Sequence, residues 1–239
     1  MTTLADAVGA VEAGNTVWLG NFGAQLFAVG EELVRQRVTG LHVVIASGGL
    51  LLDRLIGAGV VAEVTFAHCW NPIGPAPTPH FRRAWQEGCG IRWHELPMGV
   101  LSAALGAAAH GVPFAPVRVH PDTGYRDWAG DVLAEVDSPF GPATVVRALP
   151  LDVAFVHASR VDTNGNAAIG APTGEALTAA QAARRVVVVA EEIGEVRQAD
   201  LLGLLVDTVV VAPGAVAPDG VPGRYPRDVA AYQAYGRDA

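Results

Sequence analysis

Apolar positions along the chain fall alternately into short continuous runs and into helical spacing. "NTVWLG" (15–20) and "LHVVIAS" (41–47) are strand-like, and "FAVGEELVRQ" between them places Phe27, Val29, Leu33 and Val34 at the intervals of one helix face. Strand, helix, strand predicts a parallel βαβ unit. The alternation continues with a helix in "LLDRLIGAG", a strand in "VAEVTFAHCW", and a helix in "TPHFRRAWQEG" opened by Thr78 or Pro79 and closed by Gly88. "IRWHEL" reads as a strand and "GVLSAALGAAAHG" as a tightly packed alanine-rich helix. Residues 112–147, rich in Pro, Gly and Asp, read as a loop excursion crossing the sheet. Beyond them "LDVAFVHASRVD" is a strand, "TGEALTAAQAARR" a helix, "VVVVAEEI" a fully buried strand, and the chain closes with one more strand and a Pro/Gly-rich tail. The expectation is one α/β domain over 1–239, with an open, mostly parallel sheet flanked by helices.

Two strand–turn–helix junctions carry candidate chemistry. "LGNFGAQ" (19–25) joins a strand to a helix through Gly20-Asn21-Phe22-Gly23, and "VVIASGGLLLDRLIG" does the same through Ser47, Gly48 and Gly49. Backbone N–H groups at such turns, together with a helix N-terminus, suit an anion or an oxyanion. Both turns follow neighbouring strands and so can line one carboxyl edge, where ligands of open α/β sheets bind. The G-x-G-x-x-G fingerprint is absent and no acidic residue closes the second strand, which argues against a nicotinamide cofactor.

Composition narrows the chemistry. All 16 basic residues are arginine, which removes Schiff-base lysine chemistry and the P-loop lysine. A net charge of −8 with scattered arginines argues against nucleic acid or an anionic membrane as partner. Asp6 and Glu12 precede any apolar run, and no uninterrupted apolar span approaches ~20 residues, so a cytoplasmic location is expected. The seven histidines include no H-x-x-x-H or H-x-H pair, so no metal is expected. Cys69 and Cys89 stand outside any C-x-x-C spacing and read as structural thiols. Ser47 lacks the first glycine of a Gly-x-Ser-x-Gly elbow, which lowers the expectation of serine-hydrolase chemistry. Glu95, where "WHELPMG" passes from strand to turn, can reach a site or simply cap a helix or pair an arginine. Phe22, Trp70 and Trp93 are candidates for an apolar pocket or for core packing.

The block "ALPLDVAFVHASRVDTNGNAAIGAPTGEALTAAQAARRVVVVAEEI" (148–193) resembles the C-terminal half of α subunits of family I CoA-transferases. "LGNFGAQ", "LIGAGVVAEV", "HFRRAWQEG", "LGAAAHGVPFAPVRV" and "VDTVVVAPGAVAP" fall in that family's order, so the resemblance runs from Leu4 to about Tyr225. The nearest subgroup is similar to glutaconate CoA-transferase α chains and relatives that hydrolyse or decarboxylate CoA thioesters. The resemblance implies coenzyme A, carried as acyl-CoA, as the substrate cofactor. It also implies a carboxylic or dicarboxylic acid as co-substrate and a separate β subunit bearing the nucleophilic glutamate in a Glu-Ser-Gly turn. This chain has Ala46-Ser47-Gly48 at that position, so no catalytic nucleophile is expected here. The implied roles are oxyanion support from Asn21 and Gly23, acyl binding at Phe22, and contact of Gln25 with a second carboxylate. Ser47, Gly48, Gly49, His68 and Glu95 complete the expected substrate-binding set. Two departures stand out: the chain is shorter than typical α subunits, mostly in 117–147 and after Tyr225, and Asn21 replaces a second glycine. A thioester hydrolase, decarboxylase or ring-opening lyase on the same scaffold is the alternative, and a stand-alone CoA-ester binding protein the non-enzyme rival.

Overall fold

The computed structural model describes residues 2–20, 24–73, 78–119, 124–125, 129, 131–170 and 172–238. In chain order the elements are α1 (Leu4–Val8), β1 (Thr16–Trp18), α2 (Phe27–Arg35), β2 (Leu41–Ser47), α3 (Gly49–Gly57), β3 (Val61–His68), α4 (Pro79–Glu87), β4 (Arg92–Glu95) and α5 (Met98–Ala109). They continue with β5 (Phe114–Pro116), β6 (Leu133–Ser138), β7 (Gly141–Arg147), β8 (Leu151–Ala158), β9 (Arg160–Val161), β10 (Ala167–Ala168), α6 (Ala176–Ala182), β11 (Ala183–Ala190), β12 (Thr208–Val211) and α7 (Val229–Asp238).

Among the described residues, seven strands form one parallel sheet in the order β12-β11-β8-β1-β2-β3-β4. The chain lays β2, β3 and β4 outward on one side of β1, then returns to place β8, β11 and β12 on the other. The order therefore reverses at β1, and the crevice beyond its carboxyl end is the ligand position of this architecture. The central strands are apolar on both faces, as sheets covered by helices on both sides require: Val43, Val44, Ile45 and Ala46 of β2 and Val187, Val188 and Val189 of β11 are fully buried. α4 has the expected ends, with Pro79 in its first turn and Gly88 closing it at φ 69°.

Two stretches differ from the sequence reading. Residues 112–147, expected as a loop excursion, contain an antiparallel sheet ordered β5-β7-β6. Ser138 pairs with Gly141 across a two-residue turn at Pro139-Phe140, so the Pro and Gly that suggested a loop are its hairpin punctuation. The Pro/Gly-rich tail, expected to lack regular structure, ends in α7. Asp228 Oδ1 accepts from Ala231 N–H at 2.9 Å, an N-cap bond available in the sequence itself. Tyr232 is buried, and the Tyr235 hydroxyl donates to Asp53 Oδ2 at 2.8 Å. Asp53, fully buried on α3, also accepts from the Phe81 amide at 2.6 Å, so one carboxyl ties together α3, α4 and α7.

On the sheet face opposite α4, the amino halves of the strands line a cavity of about 340 Å³ beneath β7, with Thr16, His42, Glu63, Thr65, His94 and Arg147 in its wall. His42 Nε2 lies 2.8 Å from Thr65 Oγ1, and His94 Nε2 lies 2.8 Å from Glu63 Oε1. Desolvation lowers the His42 pKa from 6.5 to about 4 against the opposing pull of Glu63, with His94, Arg92 and Arg147 also disfavouring its charge. The unfolded chain therefore binds a proton that the folded chain refuses, and stability falls as pH drops from the ordinary histidine value toward 4. At about 1.4 kcal/mol per unit, this one residue accounts for up to about 3 kcal/mol of acid destabilisation. We expect urea unfolding of His42→Gln to lose less stability between pH 7 and pH 4.5 than wild type, and parallel losses would refute the assignment.

Candidate active site at the carboxyl edge of the sheet

Trp18, the last residue of β1, pairs with Val44 on one side and with Ala154 on the other. Ser47 and His157 each stand three residues further along their strands, so they flank the space beyond β1 at one level and on one face. His68 pairs with Ser47 and Glu95 with Phe66, which extends the same face to β4. Parallel register thus brings Ser47, His68 and Glu95, far apart in sequence, to a common edge.

Gln25, at the entry to α2, is tied to the second glycine turn there. Gln25 is buried, and its Nε2 donates to the Ser47 carbonyl and, at 3.3 Å, to the Gly48 carbonyl. Expected to meet a second carboxylate of the substrate, the Gln25 amide instead has its donor engaged by the second turn. Close approach explains two of the glycines. A Cβ on Gly20, at φ +113°, would lie 2.7 Å from the Ala24 carbonyl oxygen, and Gly49 sits at φ +51° with the Gln25 amide 3.4 Å from where its Cβ would be. The Gly48 N–H, expected as a free donor, is bonded to the His68 carbonyl at 2.9 Å. Asn21, Phe22 and Gly23 lie outside the described residues.

Ser47 Oγ is 3.0 Å from His68 Nε2, and burial lowers the His68 pKa, so its imidazole is neutral near pH 7 and can hold or accept the hydroxyl proton. His68 and Glu95 line one cavity of about 450 Å³ with Phe66, Cys69, Phe81 and Trp85. Trp93 packs behind that wall, 5.0 Å from Phe81 and 5.4 Å from Trp85 between ring centroids, whereas Trp70 is 61% exposed and meets His68 edge-on. Cys69 behaves as a structural thiol: its Sγ faces the Gly49 carbonyl at 3.7 Å, and desolvation raises its pKa far above the ordinary thiol range. Cys89, also read as a structural thiol, is exposed.

A second polar group at this edge was not singled out in the sequence. Glu191, just past β11, accepts from the Tyr225 hydroxyl at 2.6 Å and the Gly214 N–H at 2.8 Å, and its Oε1 lies 3.1 Å from His157 Nε2. These donors outweigh desolvation and lower the Glu191 pKa, while burial lowers that of His157. The pair is then carboxylate and neutral imidazole, with the Nε2 proton directed to Glu191 and the buried Nδ1 left without a partner among the described residues. Only the consecutive Glu191-Glu192 after a valine run hinted at it, since isolated histidines carry no spacing signal.

The reversal point of the parallel sheet thus carries the Ser47–Gly49 turn and two neutral imidazoles, His68 and His157, at the edge where open α/β sheets bind ligands. The profile of the Coenzyme A transferase family matches residues 1–212, and the chain belongs to that family. It is 32% identical to the cholesterol ring-cleaving hydrolase IpdA subunit of Rhodococcus jostii, over 99% of this chain and 82% of that one. It is 30% identical to the A subunit of glutaconate CoA-transferase from Acidaminococcus fermentans, over 95% of this chain and 79% of that one. The crystal structure of the latter enzyme superposes with a TM-score of 0.88, covering 99% of this chain and 83% of that chain at 26% identity. The decarboxylase AibA/AibB also superposes at 0.88, with 28% identity and coverage of 99% and 91%. The chain is thus an A-type member of the CoA-transferase scaffold, and that scaffold also serves other reactions. Among the described residues, no helix is long and apolar enough to cross a membrane.

Removing the Gln25 side chain leaves the buried Ser47 and Gly48 carbonyls without that donor. Gln25→Ala is expected to lower the unfolding free energy by about 1–3 kcal/mol, read by chemical denaturation. An unchanged midpoint would mean that the turns hold their positions without it.

Proposed function

We propose that this chain is the α subunit of a heteromeric CoA-transferase that moves CoA between an acyl-CoA thioester and a carboxylic acid, with the nucleophilic glutamate on a separate β subunit. The observation that carries the reading is the bond from Gln25 to the glycine turn that follows β2 at the reversal point of the sheet, a turn that reads Ala46-Ser47-Gly48 and offers no glutamate. The chain's task is then to bind and orient. Asn21 and Gly23 support the oxyanion that forms when the thioester carbonyl is attacked, Phe22 and Gly49 border the acyl carbon, and His68 and Glu95 hold the acyl group. The attacking carboxylate displaces the thiolate to give an acyl anhydride, and the thiolate then attacks the enzyme-side carbonyl to give a glutamyl-CoA thioester, releasing the acid. Coenzyme A is the only cofactor this requires, and the cytoplasm the compartment that suits it.

The alternative is hydrolysis, decarboxylation or ring opening of a CoA thioester. It draws support from the similarity to IpdA and to the AibA/AibB decarboxylase, and from the Ser47–His68 contact. The two readings diverge in the fate of the thioester. Incubating the reconstituted complex with an acyl-CoA, with and without a free acceptor acid, separates acceptor-dependent exchange from release of free CoA.

The chain is expected to be inactive alone and to gain activity in complex with its β subunit. A monodisperse chain that turns over thioesters by itself would overturn the division of labour. In the complex, Gly23→Val is expected to lower turnover by ~10²–10³, the usual effect of losing one oxyanion donor. Near-normal turnover in a folded Gly23→Val complex would remove the first glycine turn from the site.

A further inference from the structure

The cavity of about 340 Å³ beneath β7 gathers polar groups that the candidate active site does not use. We infer that it is a binding site for a small amphipathic monocarboxylate, with a ring or branched body, a hydroxyl or keto group at one end and the carboxylate at the other. His42, on the amino half of β2, lies about 16 Å along the strand from Ser47 at its carboxyl end. The site therefore does not depend on which reaction the carboxyl edge carries.

Three parts of the wall set the class of ligand. Leu96 after β4, Ala104 of α5, Val146 of β7 and Leu149 make the apolar part, and the volume falls at the low end of pockets that enclose small molecules. The part contributed by the strands is polar and can take a neutral group. Burial pushes the His42 pKa down to about 4 although Glu63 pulls the other way, so the ring is uncharged near neutral pH. Its Nε2 meets Thr65 Oγ1 at 2.8 Å, whereas its Nδ1 has only Thr16 Oγ1 at 3.5 Å and Glu63 Oε1 at 3.9 Å, both longer than a good hydrogen bond. One imidazole nitrogen is thus left to a hydroxyl or keto group of an occupant.

The charges around the cavity decide the third part. Glu63 does not call for a cation, because the Arg92 guanidinium and His94 Nε2, the latter at 2.8 Å, already meet it. Asp131 lies 3.6 Å from His94 Nδ1 and does not line the cavity. Among the described residues no three His, Cys, Asp or Glu groups converge as metal ligands. Arg147 is the remaining charge: it lines the cavity from the exposed end of β7, no carboxylate among the described residues pairs with it, and its charge disfavours protonation of His42. A carboxylate at this position gains a charge-assisted partner, whereas one placed against the strands would face Glu63.

The probe for the test is 4-hydroxybenzoate, with 4-hydroxybenzylamine and 4-hydroxybenzyl alcohol as its cationic and neutral counterparts. Each is titrated into the whole chain and followed by calorimetry and by the imidazole resonances that His42→Gln removes. We expect 4-hydroxybenzoate to bind saturably, to shift the His42 resonances, and to raise the pH at which they titrate, because a bound anion offsets Arg147. Arg147→Gln, at an exposed position, is expected to weaken binding about five- to ten-fold. Should that variant not fold, the ranking of the three probes on wild type decides. Absence of saturable binding, binding that leaves the His42 resonances unmoved, or unchanged affinity in folded Arg147→Gln overturns the site. Equal or tighter binding of the amine or the alcohol overturns the anionic class.

Discussion

All seven strands of the main sheet run in one direction, and every feature of the candidate site follows from that constraint. Parallel strands require crossovers, and those from β1 to β4 run through α2, α3 and α4, each entered from the carboxyl end of the preceding strand. Helix N-termini and strand carboxyl ends therefore gather at one edge, where the partial positive charge of N–H groups is concentrated. Reversal of the strand order at β1 opens that edge, because β2 and β8 extend beyond Trp18 and leave a crevice between them.

Polar groups in the crevice are held by bonds that fix their protonation and orientation. Gln25 fastens the entry of α2 to the second glycine turn, and the His68 carbonyl holds the Gly48 amide. Tyr225 and the Gly214 N–H keep Glu191 ionised, which in turn orients the neutral His157 ring. A site that stabilises charge as it develops needs groups that do not reorganise, and these bonds come from segments that otherwise pack as core. The opposite face is organised differently: at the amino halves of the strands His42 and His94 are matched to Thr65 and Glu63 within the chain.

Belonging to the Coenzyme A transferase family sets limits on what such an edge means. Relatives named as transferase and hydrolase subunits, together with a decarboxylase, share the architecture at similar identity, so the scaffold by itself does not define the reaction. Differences between reactions must then reside in side chains that the shared backbone carries rather than in the backbone itself.

Period and punctuation in the sequence determined the elements that depend on local physics. Runs such as Val186–Val189, short and wholly β-branched, favour buried strand, Pro79 and Gly88 bracket a helix by fixed φ preferences, and the two glycine turns announce a close backbone approach. The order of family-like segments likewise sufficed for the fold class. Where local signals conflicted, composition misled: Pro139 and Gly141 read as loop although they turn a hairpin, and the tail's Pro and Gly outweighed Asp228 and the tyrosines of α7. Tertiary structure alone decided which distant polar groups meet. Ser47 with His68, His157 with Glu191 and Tyr225, Gln25 with the second turn, and Asp53 with Tyr235 are pairings across strand register and helix docking, separated by 21 to 182 residues. No spacing in one chain encodes such contacts, because a register is chosen by the summed burial of whole strands and not by the residues that it happens to bring together.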